Sequence, residues 1–149
     1  TRAHCLTMSG DLAGAVQAEP HRPGDEVCSM ALTVLPDGRR IAITQDLGAQ
    51  ATSCRLDHGA LEDVVALVDR ANDATTELLV INKFGKQEAE GAGFRQTVAR
   101  ALENDVPVLV GAGTIGRAGL EAFTEGAFDT LPEDVEAILA WCQAKMARR

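Results

Sequence analysis

Apolar residues fall into short clusters along this chain, and their spacing changes from one cluster to the next. Residues 12–18 (LAGAVQA) form a brief apolar run that reads as a strand. Residues 27–35 (VCSMALTVL) and 40–45 (RIAITQ) partly alternate apolar and polar positions, the period of a half-buried strand. Pro36-Asp37-Gly38-Arg39 separates them, and Asp-Gly supplies the positive φ that a tight turn needs, so 27–45 predicts a β-hairpin. Beyond residue 57 the period lengthens. Leu61, Val64, Val65, Leu67 and Val68 recur at spacings of three and four, which predicts a helix over 58–72 with Asp57 as its N-cap. Residues 77–82 (ELLVIN) contain consecutive aliphatics with no polar face, the pattern of a parallel strand covered on both sides. Residues 106–110 (VPVLV) read as a second buried strand.

Between and after these strands, Phe94, Val98 and Leu102 keep helical register and predict a helix over 94–104. Residues 117–125 also read as helical. Pro132 suits the first turn of a last helix, with Glu133 and Asp134 near its positive end and Lys145, Arg148 and Arg149 near its negative end. Residues 1–10 read as a helix end or loop, and 19–26, 46–56 and 83–93 as loops. Strand, helix, strand, helix after residue 57 is the order of an α/β fold with right-handed crossovers, preceded by the hairpin. No linker or internal repeat divides the chain, so residues 1–149 are expected to form one α/β domain.

Composition narrows the function classes. Fourteen basic and 22 acidic residues leave a net charge of −8, which disfavours general nucleic-acid binding because phosphate contacts need a basic surface. No apolar run approaches the roughly 20 residues that span a bilayer, and no signal-peptide pattern is present, so a cytoplasmic protein without membrane insertion is expected. Cys5, Cys28, Cys54 and Cys142 include no Cys-x-x-Cys pair, and His4, His21 and His58 add no ligand pair at helical spacing, so no metal site is expected.

Four segments invite a chemical reading. Gly111-Ala-Gly113-Thr-Ile-Gly116 has G-x-G-x-x-G spacing, but it follows what reads as the last major strand, and no acidic residue closes a following strand. It reads as a turn that small residues permit. Asn82-Lys83-Phe84-Gly85 resembles the N-K-x-D guanine reader of GTPases, but Gly85 has no carboxylate to accept the base hydrogens. What remains is a polar group at the carboxyl end of a buried strand: Asn82, Lys83, Lys86, Gln87, Glu88 and Glu90. Ligands of open α/β sheets bind beyond the carboxyl ends of strands, and two lysines there attract an anion. Gln45, Asp46 and Arg55 lie in a second polar loop, where Arg55 can clamp an anion bidentately. The thiol of Cys54 beside Arg55 reads as structural, since no partner base is fixed by spacing.

The blocks LAGAVQ (12–17), ITQDLG (43–48), CRLDHGAL (54–61), LLVINKFGKQEAEGAGFR (78–95) and VPVLVG (106–111) resemble the bacterial family called domain of unknown function 2478, often encoded near molybdate-transport genes. The resemblance covers nearly the whole chain. It implies a distant branch of the P-loop nucleotide-binding fold, similar to small nucleoside-triphosphatases: a P-loop-like parallel sheet with flanking helices and an inserted antiparallel hairpin. No G-x-x-x-x-G-K-[ST] occurs here, so the resemblance implies a first strand and phosphate loop upstream of Thr1. The related strand end, similar to D-E-x-G-x-x-E, keeps only Gly85 and Glu88, and Asn82 stands where an acid would hold Mg²⁺. These 149 residues alone are therefore expected to show no appreciable ATP or GTP turnover.

The expected function is binding of a nucleotide or small oxyanion, linked by the resemblance to molybdate transport or molybdenum cofactor metabolism. The candidate ligand residues are Asn82, Lys83, Lys86, Glu88, Glu90, Gln45, Asp46 and Arg55, with no catalytic residue assigned. Two other readings stay open: a nucleoside-triphosphatase whose phosphate loop lies upstream, and a non-catalytic partner subunit. The sequence specifies no cofactor and no protein partner.

Overall fold

The computed structural model describes residues 10–17, 30–45 and 55–148. Five strands form one sheet: β1 (Leu12–Gln17), β2 (Ala31–Leu35), β3 (Arg40–Ala42), β4 (Leu78–Ile81) and β5 (Val108–Val110), in the order β3-β2-β1-β4-β5. β1 pairs in parallel with β4, and β4 with β5, whereas β2 and β3 join antiparallel. The sheet is therefore mixed, with a parallel half and an antiparallel half. The short run LAGAVQ occupies its centre, because β1 is hydrogen-bonded on both sides. Gly14 is indispensable there: its φ is +141°, and a Cβ would collide with the Val80 backbone.

The β2–β3 hairpin turns where the Asp-Gly signal places it. Gly38 has φ +79°, and its N–H donates to Val34 O at 2.8 Å. Asp37 Oδ1 accepts from the Arg39 N–H at 2.8 Å and stiffens the turn. The expected hairpin span of 27–45 is seen from residue 30 onward, and residues 27–29 lie outside the described residues.

Helices cover both faces. α1 (His58–Ala71) begins at Asp57, whose Oδ1 accepts from the Ala60 N–H at 3.0 Å. Leu61, Val64, Val65 and Val68 of α1 pack with Ala13, Ala15, Val34, Leu79 and Ile81 on one face. α3 (Arg95–Glu103) adds Val98 and Ala101 to that core. On the other face α5 (Val135–Met146) brings Ile138, Trp141, Cys142 and Met146 against Leu12, Val16, Leu35, Leu78 and Val80. β4 lies between both layers, which is why all of Leu78–Ile81 is buried and its sequence has no polar alternation.

Several sequence expectations need correction. Residues 83–93 are not all loop: α2 (Lys86–Ala89) is a short helix within them. β5 is half-buried rather than buried, because it is the last strand of the sheet. Leu102 is 47% exposed, and Ala101 takes the inward position expected of it. α4 (Thr114–Thr124) starts inside the glycine-rich segment, three residues earlier than its apolar pattern suggests. Pro132 precedes the last helix instead of entering it, since Asp134 is the N-cap and accepts from the Ala137 N–H at 2.8 Å.

Candidate functional site

The parallel strands β1, β4 and β5 all end at one edge of the sheet, at Gln17, Asn82 and Gly111. The geometry there is built around the exit of β4. Asn82 N–H donates to Ala15 O at 2.9 Å, which extends the pairing with β1 by one residue. The Asn82 side-chain amide reaches Gln17 Oε1 at 3.5 Å. Phe84 N–H donates to Gly111 O at 2.7 Å, so the turn after β4 is tied to the turn after β5. The Phe84 ring is fully buried and meets Phe123 of α4 with ring centres 5.9 Å apart.

Glycines allow this close stacking of turns. A Cβ on Gly116 would run into the Phe84 carbonyl, and one on Gly111 into the Asn82 carbonyl. Packing thus accounts for Gly111 and Gly116 of the G-x-G-x-x-G spacing, whereas Gly113, the N-cap of α4, has open space around its Cα. No side chain caps this helix start, and among the described residues the N–H groups of Thr114, Ile115 and Gly116 have no acceptor. Unpaired amides at a helix start carry partial positive charge and favour anions.

Glu88 faces inward. It is 5% exposed, and its two carboxylate oxygens accept from the backbone N–H groups of Gly85 at 2.9 Å and Phe94 at 3.2 Å. It braces the loop between β4 and α3 from within. Gly93 leaves room for it, with φ +56° and no Cβ to strike the carboxylate. Arg95 closes the same loop: its guanidinium donates to the carbonyls of Glu88 and Ala89, both at 3.3 Å, and lies 4.9 Å from the Phe123 ring centre.

The remaining candidates separate clearly. Lys86 and Glu90 form an exposed i,i+4 ion pair at 3.8 Å. Lys83 is exposed, and no ion pair or hydrogen bond engages its amine among the described residues. Gln45 N–H donates to Arg55 O at 2.8 Å, next to the Thr44–Leu56 bridge beyond the end of β3. Gln45 and Arg55 therefore share the edge with Lys83. They lie off β3, however, three strand spacings from β4, or roughly 14 Å. Asp46 and Cys54 lie outside the described residues. Sequence reasoning did not single out the start of α4 as a helix end without a side-chain cap, although Gly113 before an apolar helix signals one. Nor did it find Gln17, whose partner is distant in sequence. Among the described residues, no group of His, Cys, Asp and Glu is arranged to hold a metal ion, and no helix is long and apolar enough to cross a membrane.

A family model described as a protein of unknown function (DUF2478) matches residues 3–141. The chain is also 33% identical over 148 residues to a protein of Bradyrhizobium diazoefficiens named molybdenum import ATP-binding protein ModC 2. That match takes in 98% of this chain and 16% of the relative's length. No solved structure matches at a significant level.

Proposed function

From the premise that this chain belongs to the DUF2478 family, we propose that it binds a small oxyanion, or the phosphate end of a nucleotide, at the carboxyl edge of its sheet. The observation that carries the reading is the bond from Phe84 N–H to Gly111 O. It ties the turn that carries Lys83 to the turn that leads into α4, whose start has no side-chain cap. An ammonium group and a set of aligned amides are complementary to a tetrahedral oxyanion. The relative's name couples molybdenum import with ATP binding; molybdate and the phosphates of ATP both present oxyanion oxygens. We place this domain in molybdenum handling on that similarity. The proposed activity is binding: β4 is followed by Asn82, whose amide lacks the negative charge of the usual Mg²⁺ carboxylate.

Titration calorimetry with molybdate, phosphate and ATP tests the reading. Saturable binding of one of them is expected, weakened about tenfold or more by Lys83→Ala, which corresponds to about 1.4 kcal/mol. Lys86→Ala, whose amine is already paired with Glu90, is expected to change affinity little. Absence of binding, or equal binding by the wild type and Lys83→Ala, refutes the proposal.

A further inference from the structure

α4 ends in two left-handed residues, Glu125 with φ +55° and Gly126 with φ +78°, which turn the chain away from the helix. Residues 127–133 then carry it to α5, and all of them line a cavity of 740 Å³ shared with parts of β5, α3, α4 and α5. Phe128 and Leu131 are half-buried, and the rest of this connector is exposed. Its backbone bonds stay local: Ala127 N–H donates to Thr124 O, and Phe128 N–H to Gly126 O. Among the described residues one hydrogen bond reaches the connector from elsewhere, from Arg117 Nη2 to Thr130 Oγ1 at 3.2 Å. The same guanidinium stands 5.7 Å from the centre of the Phe128 ring. Arg117 therefore grips the connector at two points.

Arg117 belongs to the first turn of α4, where its N–H donates to Gly113 O at 2.7 Å. Side chains on a helix lean toward its N-terminus, so the guanidinium lies over that turn. Gly111 and Ala112, which lead into the turn, line the same cavity as Arg117. The preceding residue, Gly116, faces the other way and packs on Phe84 and Gly85. The Lys83 stem lies against Gly85, its Cε 3.3 Å from where a Cβ would stand. Lys83 and Arg117 thus flank the start of α4, one on the side of the β4 turn and one on the side of the connector.

The geometry points to Arg117 as a latch: an oxyanion bound beside Lys83 draws the guanidinium off Thr130 and Phe128 and releases residues 127–133. The latch rests on the oxyanion reading of this edge. Arg117 makes no ion pair among the described residues, and the acceptor that holds it is a neutral, exposed hydroxyl. A guanidinium binds an oxyanion through charge-assisted bonds that can be bidentate, each roughly twice as strong as a neutral one. A cation over an exposed ring adds little to the connector's side of the balance. Asp129 lies on the connector between the two gripped residues, and its charge opposes an incoming anion. Anion and connector therefore compete for one guanidinium.

Competition is reciprocal: what loosens the connector strengthens the anion, and the anion loosens the connector. Titration calorimetry with molybdate, phosphate and ATP reads the first half. The double variant Phe128→Leu/Thr130→Val is expected to bind about threefold tighter than wild type, and Arg117→Gln about tenfold weaker. Fluorine NMR of the wild-type chain labelled with para-fluorophenylalanine reads the second half. The Phe128 resonance, identified by its loss in Phe128→Leu, is expected to move on saturation toward its position in anion-free Arg117→Gln. If none of the three probes binds the wild type, the oxyanion site falls and the latch falls with it. Binding that Lys83→Ala weakens and Arg117→Gln leaves unchanged keeps the site and overturns the latch alone. A double variant that binds no tighter than wild type, or a Phe128 resonance that the bound anion does not move, overturns it as well.

Discussion

Replacing Glu88 separates internal bracing from ligand contact. The carboxylate is 5% exposed and accepts two backbone N–H groups, from Gly85 at 2.9 Å and from Phe94 at 3.2 Å. A hydrogen bond to a charged group contributes about 1.5–3 kcal/mol, and each buried amide left without a partner costs about 1–3 kcal/mol. Glu88→Ala removes both acceptors and is expected to destabilise by about 3–5 kcal/mol. Glu88→Gln keeps one oxygen but sets an NH₂ group against the other amide, so about 1.5–3 kcal/mol is expected. In a chain of this size 1 kcal/mol moves Tm by roughly 2–4 °C, giving roughly 3–12 °C for the glutamine variant. Thermal and urea unfolding followed by circular dichroism, without ligand, measures this. A Glu88→Gln protein within about 0.5 kcal/mol of wild type would show that the carboxylate is not a structural brace. Normal stability with lost oxyanion binding would make it a ligand group instead.

Other positions give independent checks. Gly116→Ala places a methyl group against the Phe84 carbonyl, and a loss of about 1–3 kcal/mol is expected on unfolding; an unchanged midpoint would contradict the close packing of α4 on the β4 turn. Thr33 is fully buried with an unpartnered Oγ1, so Thr33→Val is expected to raise stability by about 1 kcal/mol, and a loss would reveal a partner for that hydroxyl. Asp57→Ala removes the cap on α1 and is expected to cost about 0.5–2 kcal/mol in the same unfolding assay. Hydrogen bonds from the Thr75 hydroxyl and then its backbone N–H lower the Asp73 pKa from the ordinary 3.8. The folded state therefore favours the charged form, and its stabilisation is present above pH 3.8 and lost as pH falls through the lower folded value. The difference in stability between wild type and Asp73→Asn should accordingly shrink on acidification below that range, and a constant difference would refute the assignment.

Local chemistry determined the parts of this protein that depend on a few neighbouring residues. The Asp37-Gly38 turn, the Asp57 cap, the apolar face of α1 and the doubly buried run Leu78–Ile81 are legible because each depends on φ, capping or burial period within a few residues. Strand order is different. LAGAVQ is central and VLV is marginal because of which strands pair across long separations, and nothing in either short run carries that information. The same holds for helix phase at its end: Leu102 and Ala101 both fit the period, and only the position of the sheet turns Ala101 inward. The polar group after β4 was visible as a group, but its division was not. Glu88 turns inward because the amides of Gly85 and Phe94 converge on it, Lys86 is paired with Glu90 across one helical turn, and Lys83 is left facing water. The sequence thus determined where polar chemistry gathers. Only the tertiary structure decided which charges serve the fold, because burial and the aim of backbone amides are set by contacts between segments distant in the chain.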